Sequence, residues 1–285
     1  KKLQNWVLEN FKESKMYKQM AEAINGEQIV TIETKDLPKV SIITSVYDGS
    51  EFIRPFLEDI TRQTIFEEKC ELILINANSP GNEEEVIKEY LEKYPNNIIY
   101  EKLDEDPGIY GVWNKAIKMS SGEYITNANL DDRKAANSLE VHAKALYRNK
   151  NVDLVYSDMM ITDKPNETWE SNSSEGKKYN MAEFSFENLL MGNMPHAAPM
   201  WKKSVHDDNG YFDEEYKSAG DWEMWLRAAS NNSQFEKISA VSNLYFFNPK
   251  GISTNPENNE WKRKEELKVY KKYQQEFLMS QQKAI

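Results

Sequence analysis

Short apolar, β-branched runs alternate with amphipathic stretches along most of the chain. Val40-Ser41-Ile42-Ile43-Thr44-Ser45-Val46 and Leu72-Ile73-Leu74-Ile75 are nearly continuous apolar runs, the pattern of strands covered on both faces. Ile98-Ile99-Tyr100, Tyr124-Ile125-Thr126 and Val152-Asp153-Leu154-Val155-Tyr156 continue the series. Between them the spacing predicts helices over 50–62, 83–94, 110–119 and 135–148, with Ser50 as a cap of the first and acids opening the second. Strands alternating with helices imply a mostly parallel sheet with crossover connections, an α/β fold.

The flanks read differently. Residues 1 to about 25 form a helical pattern through Trp6, Val7, Phe11, Met16 and Met20, stopped by Gly26. A linker ends at Leu37, and Pro38 marks a domain start. Residues 162–179 are polar and read as a long loop, of the kind that often lines a binding site. Further expectations are a helix over 181–190, an extended stretch from Pro195 to Trp201, a helix over 221–229, short strands at 235–238 and 244–247, and an amphipathic helix over 257–279. The organisation is therefore a helical extension (1–37), a core domain (38–250) with halves at 38–132 and 133–250, and a terminal helix (251–285).

Composition narrows the function classes. The 285 residues carry a net charge of −11, which argues against a nucleic-acid surface. No apolar run is long enough to span a membrane, and no secretory signal is visible at the start, so a cytoplasmic protein is expected, with contact at the inner membrane face as an alternative. The single cysteine, Cys70, heads an apolar strand and reads as a packed thiol.

Chemistry concentrates where the strand at Tyr124 runs into Asn127-Ala128-Asn129-Leu130-Asp131-Asp132. Ligands of open α/β sheets sit beyond the carboxyl ends of the strands. Two adjacent acids there would hold a hard metal ion or a sugar hydroxyl, or would cap the helix expected at Ala135. A second acidic cluster is Gly220-Asp221-Trp222-Glu223. His142 and His206 read as surface residues, His196 as a buried structural histidine or a ligand, and Trp225 and Arg227 as packing and salt bridging.

Seven ordered pieces resemble family 2 glycosyltransferases of the GT-A fold. They are Pro38-Lys39-Val40-Ser41-Ile42-Ile43 with Tyr47-Asp48, then Gln63-Thr64, then Asn76-Ala77-Asn78-Ser79. Gly108 with Asn114, and Gly122-Glu123-Tyr124-Ile125 leading to Asn129-Leu130-Asp131, come next. Gly210-Tyr211-Phe212-Asp213-Glu214 and Gly220-Asp221-Trp222-Glu223-Met224-Trp225-Leu226-Arg227 complete the order. The resemblance covers about residues 38–247. It implies a GT-A, Rossmann-like, mostly parallel sheet flanked by helices, and transfer of a sugar from a nucleotide donor to a saccharide or glycoconjugate acceptor.

By the same resemblance Asp131 is a ligand of Mn²⁺ or Mg²⁺ and Asp132 a second ligand or an orienting group. Asn129 contacts ribose or metal, and Asp221 is the general base of an inverting reaction. Thr44, Tyr47, Asn76 and Asn78 line the nucleoside pocket, with uracil the usual base, and Asn114 lies on the donor side. The sequence departs from the family pattern at Asn76 and Asn129, which replace acids, at Asp48 and Trp113, and at Gly111, where a subset has an Asp facing the donor sugar. These departures keep open a second reading, a non-catalytic sugar-nucleotide or glycan-binding module of a larger assembly.

Overall fold

The computed structural model describes residues 32–196 and 199–283. The helix expected over the first 25 residues lies outside them. Chain contacts divide the protein into a unit ending at Asp36 and a unit from Leu37 to Ile285; the sheet and the helices that flank it belong to the second.

Nine strands form one mixed sheet: β1 (Val40–Val46), β2 (Cys70–Asn76), β3 (Ile98–Lys102), β4 (Tyr124–Asn127), β5 (Arg133–Lys134), β6 (Leu154–Thr162), β7 (Lys178–Tyr179), β8 (Met200–Lys202) and β9 (Phe235–Phe246). Their order is β3-β2-β1-β4-β8-β6-β9-β5, with β7 on β6. β3, β2, β1 and β4 run parallel, β8 enters antiparallel to β4 and β6, and β6 and β9 pair parallel. β1 and β2 are buried on both faces because helices cover each side, which is why both read as apolar runs. Cys70 opens β2 with its thiol sealed in, and burial pushes its pKa up to about 12.

The helices are α1 (Ile53–Thr61), α2 (Phe66–Lys69), α3 (Glu83–Lys93), α4 (Gly108–Met119), α5 (Ser138–Arg148), α6 (Phe186–Met191), α7 (Val205–Asn209), α8 (Gly220–Ser230) and α9 (Asn259–Lys283). Several expectations are corrected. Ser50 does not cap α1, whose N-cap is Phe52; its hydroxyl faces the next loop instead, where it accepts from Asn82 N and bonds Glu83. The helix expected at 135 begins at Ser138, because Arg133 and Lys134 are drawn into the sheet against β9. The helix expected from 181 starts only at Phe186, capped by the Ser185 hydroxyl. The two short strands expected near 235 and 244 are one strand, β9, which absorbs the polar residues between them in register shifts opposite Ser157 and Asp158. His142 and His206 are buried, not at the surface. His142 Nδ1 faces its own helix's Ser138 carbonyl at 2.8 Å, while His206 sits between Trp201 Nε1 at 3.0 Å and the Gly210 carbonyl at 2.9 Å.

An aromatic core holds the second half together. Trp201 packs edge-on against Trp225 at 5.2 Å, and Phe212 lies at 5.7 Å from Trp225 and 5.4 Å from Trp113. The expected role of Trp225 as packing is what the structure shows, and Arg227 pairs with Glu223 at 2.6 Å. This core fixes α8, and so the direction in which its first residues point.

Candidate active site

The parallel strands set the location. Val46 pairs with Asn76 and Ile43 with Asn127, so the loops after β1, β2 and β4 leave the sheet at one edge. They are knitted there by backbone bonds, Ala77 N to Val46 O at 3.0 Å and Ala128 N to Ile43 O at 3.0 Å. Glu83, fully buried at the start of α3, accepts from Gly49 N at 2.6 Å and from the hydroxyls of Ser50 and Ser79. One carboxylate thus ties the first two loops together. Sequence reasoning assigned Glu83 only to the helix dipole, since its partners lie in other loops.

The expected nucleoside residues differ in availability. Tyr47 is 52% exposed at the strand tip. Asn78 is exposed and held at φ +56°, a left-handed conformation that asparagine tolerates better than most residues. Thr44 is fully buried, and its hydroxyl has no partner among the described residues. Asn76 is buried and turned inward: its Oδ1 accepts from Ser79 N at 2.7 Å and its Nδ2 donates to Tyr100 at 3.2 Å. Asn114 departs furthest from the expected donor contact. Its two amide hydrogens go to Phe212 O at 2.8 Å and Glu214 Oε1 at 2.9 Å, and its Oδ1 accepts from Phe212 N at 2.9 Å. It braces the loop before α8, with no N–H left for a ligand. The missing Asp at Gly111 also has a physical counterpart: a side chain there would press on Pro107, with the Glu214 carboxyl carbon 3.7 Å from its Cβ.

The acid pair is asymmetric. Asp132 Oδ1 accepts from Phe246 N at 3.0 Å and its Oδ2 from Asn129 at 3.0 Å. It caps no helix, since α5 starts only at Ser138. Burial, with the Asp131 charge beside it, pushes its pKa up to about 7. Asp131 has one oxygen on Asn248 Nδ2 at 3.0 Å. A small cavity lined by Phe56, Ile60, Asn129, Asp132 and Tyr245 adjoins the pair. No cluster of three His, Cys, Asp or Glu side chains that could hold a metal occurs among the described residues. The oxygen donors of Asp131 and Asn129 suit a hard divalent cation only if phosphate oxygens or water complete its shell.

Asp221 is the second residue of α8. Its Oδ1 accepts from Trp222 N at 2.9 Å and from the Tyr110 hydroxyl at 3.1 Å; its Oδ2 accepts from Asn193 Nδ2 at 2.7 Å. Burial raises its pKa by more than these three bonds lower it. Gly220 is required beside it, because a Cβ at that position would lie 2.6 Å from the Tyr110 ring.

One four-residue segment joins the two acidic clusters. At one end Asn193 holds Asp221. At the other, the His196 ring meets Tyr245 at 5.1 Å and Tyr179 at 6.1 Å. The Tyr245 hydroxyl is raised in pKa by burial and by the charges of Asp132 and Asp131, which places that ring within their field. Asn193 Oδ1 and His196 Nδ1 are buried without partners among the described residues. His196 is therefore packed among rings, yet keeps a polar atom unspent.

The profile of the family described as Glycosyl transferase family 2 matches residues 41–208, more than half of the chain. The chain belongs to glycosyl transferase family 2. An uncharacterized glycosyltransferase of Methanocaldococcus jannaschii is 28% identical over 206 residues, 71% of this chain and 69% of its own. The minor teichoic acid biosynthesis protein GgaB of Bacillus subtilis is 34% identical over 116 residues, 40% of this chain but only 13% of that much longer protein. Among solved structures, S. aureus TarS 1–349 in complex with UDP aligns with a TM-score of 0.61 at 19% identity, over 74% of this chain and 61% of that one. The mannosyltransferase PcManGT of Pyrobaculum calidifontis, in complex with GDP-Man and Mn²⁺, aligns at 0.59 and 15% identity, over 83% and 65%. At these identities the structures show the shared GT-A fold.

In this family 2 glycosyltransferase the residues that sequence reasoning missed are the holders of Asp221 and Asp131: Asn193, Tyr110 and Asn248. Each lies on another element from the acid it touches, so no local spacing marks it. The sole local hint was Asn193 three residues before the His196 already singled out. No helix among the described residues is long and apolar enough to cross a membrane.

Proposed function

We propose that this chain is an inverting glycosyltransferase that moves a sugar from a nucleotide donor, UDP-linked, onto a hydroxyl of a saccharide or cell-surface polymer. The observation that carries the reading is Asp221: a carboxylate at a helix start, gripped by Asn193 and Tyr110, and linked through residues 193–196 to the rings beside Asp131 and Asp132.

The acceptor hydroxyl gives its proton to Asp221. Its oxygen then bonds to the anomeric carbon on the face opposite the diphosphate, and the bond from that carbon to the phosphate oxygen breaks with inversion. Burial favours this step, because a carboxylate with a raised pKa is a stronger base than a solvated one. Asp131, with Asn129 beside it, is the residue to hold a Mn²⁺ or Mg²⁺ ion, and Asp132 orients that loop through Phe246 and Asn129. Such an ion, when bound, stabilises the charge on the departing diphosphate. Tyr47 covers the base, and Asn78 offers its edge contacts. UDP in the complex of TarS and Mn²⁺ in that of PcManGT support these choices of nucleotide and ion, and GgaB supports a wall-polymer acceptor.

A thermal-shift screen of UDP, GDP and CDP sugars with and without Mn²⁺, followed by turnover of the donor that binds, tests the proposal. A metal-dependent shift with UDP and turnover abolished by Asp221→Asn is expected. A shift with GDP or CDP alone overturns the base assignment. Binding without turnover, unaltered by Asp221→Asn, instead supports a binding module.

A further inference from the structure

We infer that the carboxyl-terminal helix α9 supplies a positioning residue for the transfer reaction, Glu265, which fixes the turn that delivers Asp221; this rests on reading Asp221 as the base. Glu265 and the turn that it holds lie beyond the segment that the family profile matches.

Helix α8 has no side-chain cap of its own, and its N-cap is Ala219. The amides that precede it would be left open at the very point where Asp221 begins. Glu265 reaches over from α9 and takes three of them in succession. Its Oε1 accepts from Lys217 N at 2.8 Å, and its Oε2 accepts from Ser218 N at 3.0 Å and Ala219 N at 3.2 Å. A carboxylate at the amino end of a helix is also the favoured charge there. The same turn is held from the other side by Tyr110, whose single hydroxyl hydrogen is shared between Ser218 O at 2.7 Å and Asp221 Oδ1 at 3.1 Å. The turn before the base is thus clamped between α4 and α9.

A second contact sets the direction of α8. Glu223, buried two residues past Asp221, accepts from the Tyr273 hydroxyl at 2.7 Å and Lys272 Nζ at 2.9 Å, both on α9, and pairs with Arg227 at 2.6 Å on its own helix. Glu265, Val269 and Tyr273 recur every four residues, so they form one stripe along α9, and Val269 and Tyr273 are fully buried. The mixed charge of this helix therefore has a directed use on one face. With the turn anchored at 265 and the first helical turn anchored at 273, the backbone that carries Asp221 is held on both sides of that residue. Small misplacements of a reacting group cost up to about a hundredfold in rate.

The test compares Glu265→Gln and Glu265→Ala with wild type in the full chain, using the nucleotide sugar that turns over in the thermal-shift screen. Turnover is normalised to the fraction that binds UDP with Mn²⁺. We expect kcat to fall about tenfold to a hundredfold in Glu265→Ala, with UDP–Mn²⁺ affinity and donor KM unchanged, and Glu265→Gln to recover part of the loss because one amide oxygen still accepts. A purely structural role would lower the melting temperature and leave normalised kcat alone. Normalised kcat equal to wild type in both variants overturns the inference. If Glu265→Ala does not fold, the isosteric Glu265→Gln carries the test. Asp221→Ala separates the two readings: if it abolishes turnover while the Glu265 variants keep it, only the role of Glu265 falls; if it turns over normally, the base assignment falls and the role of Glu265 with it.

Discussion

Asn193 donates a hydrogen bond to Asp221 at 2.7 Å across 28 positions of sequence. It stabilises the ionised carboxylate, and so works against the burial that raises its pKa. Removing it gives a prediction with a sign. In Asn193→Ala the Asp221 pKa rises further, so the base is protonated over a wider acid range. The acid limb of the kcat pH profile shifts to higher pH by about one unit, as for loss of a bond to a charged group worth roughly 1.5 kcal/mol. A profile that stays in place would detach Asn193 from the reaction.

Gly220→Ala brings a methyl carbon to 2.6 Å from the Tyr110 ring, which is held in a stacked arrangement with Phe212 and cannot retreat freely. The ring shifts, and its bond to Asp221 is lost. We expect a drop in kcat together with about 1–3 kcal/mol of lost stability from overpacking, read by denaturant unfolding. Tyr110→Phe keeps the packing and removes the hydroxyl alone, so it should lower kcat with a smaller stability change.

Asp131→Ala is expected to abolish the Mn²⁺-dependent part of UDP stabilisation in a thermal-shift assay, since ligand binding to the folded state is what raises the melting temperature. The apoprotein should melt close to wild type, because only the contact with Asn248 is lost. Asp132→Ala should behave differently. It strips partners from Phe246 N and Asn129 and should destabilise the apoprotein as well.

Far from the site, Glu71 predicts the response to acid. Burial opposes its ionisation, but Lys39, the Ser41 hydroxyl and the amide and hydroxyl of Ser121 outweigh it, and its pKa is lowered from 4.5 to about 2. A carboxylate with a lowered folded pKa stabilises the protein above its unfolded pKa, and that contribution is lost as pH falls through the folded value. Unfolding midpoints should therefore fall between pH 4.5 and about 2. In Glu71→Gln this portion of the acid dependence should disappear, and stability at neutral pH should drop by about 1–3 kcal/mol. An unchanged acid slope would refute the assignment.

The order of residues alone was enough for the sheet's central strands, because β1 and β2 are buried on both faces and only continuous apolar runs suit such strands. It was enough also for the family, since its motifs are short and local. It was not enough for the edges of the pattern. The polar residues inside β9 read as a break, and only pairing with β6, with register shifts, makes them strand. His206 stands in a charged run of the sequence, yet the chain turns so that Trp201 and Gly210, five and four positions away, close over it, and no hydrophobic period marks that turn. The partners of Asp221 and Asp132 were equally illegible. Asn193, Tyr110 and Phe246 come from three separate segments, and a hydrogen bond across the fold leaves no period in the chain. Local spacing records which face of an element is buried; which residue waits on the other side is fixed only when the elements pack.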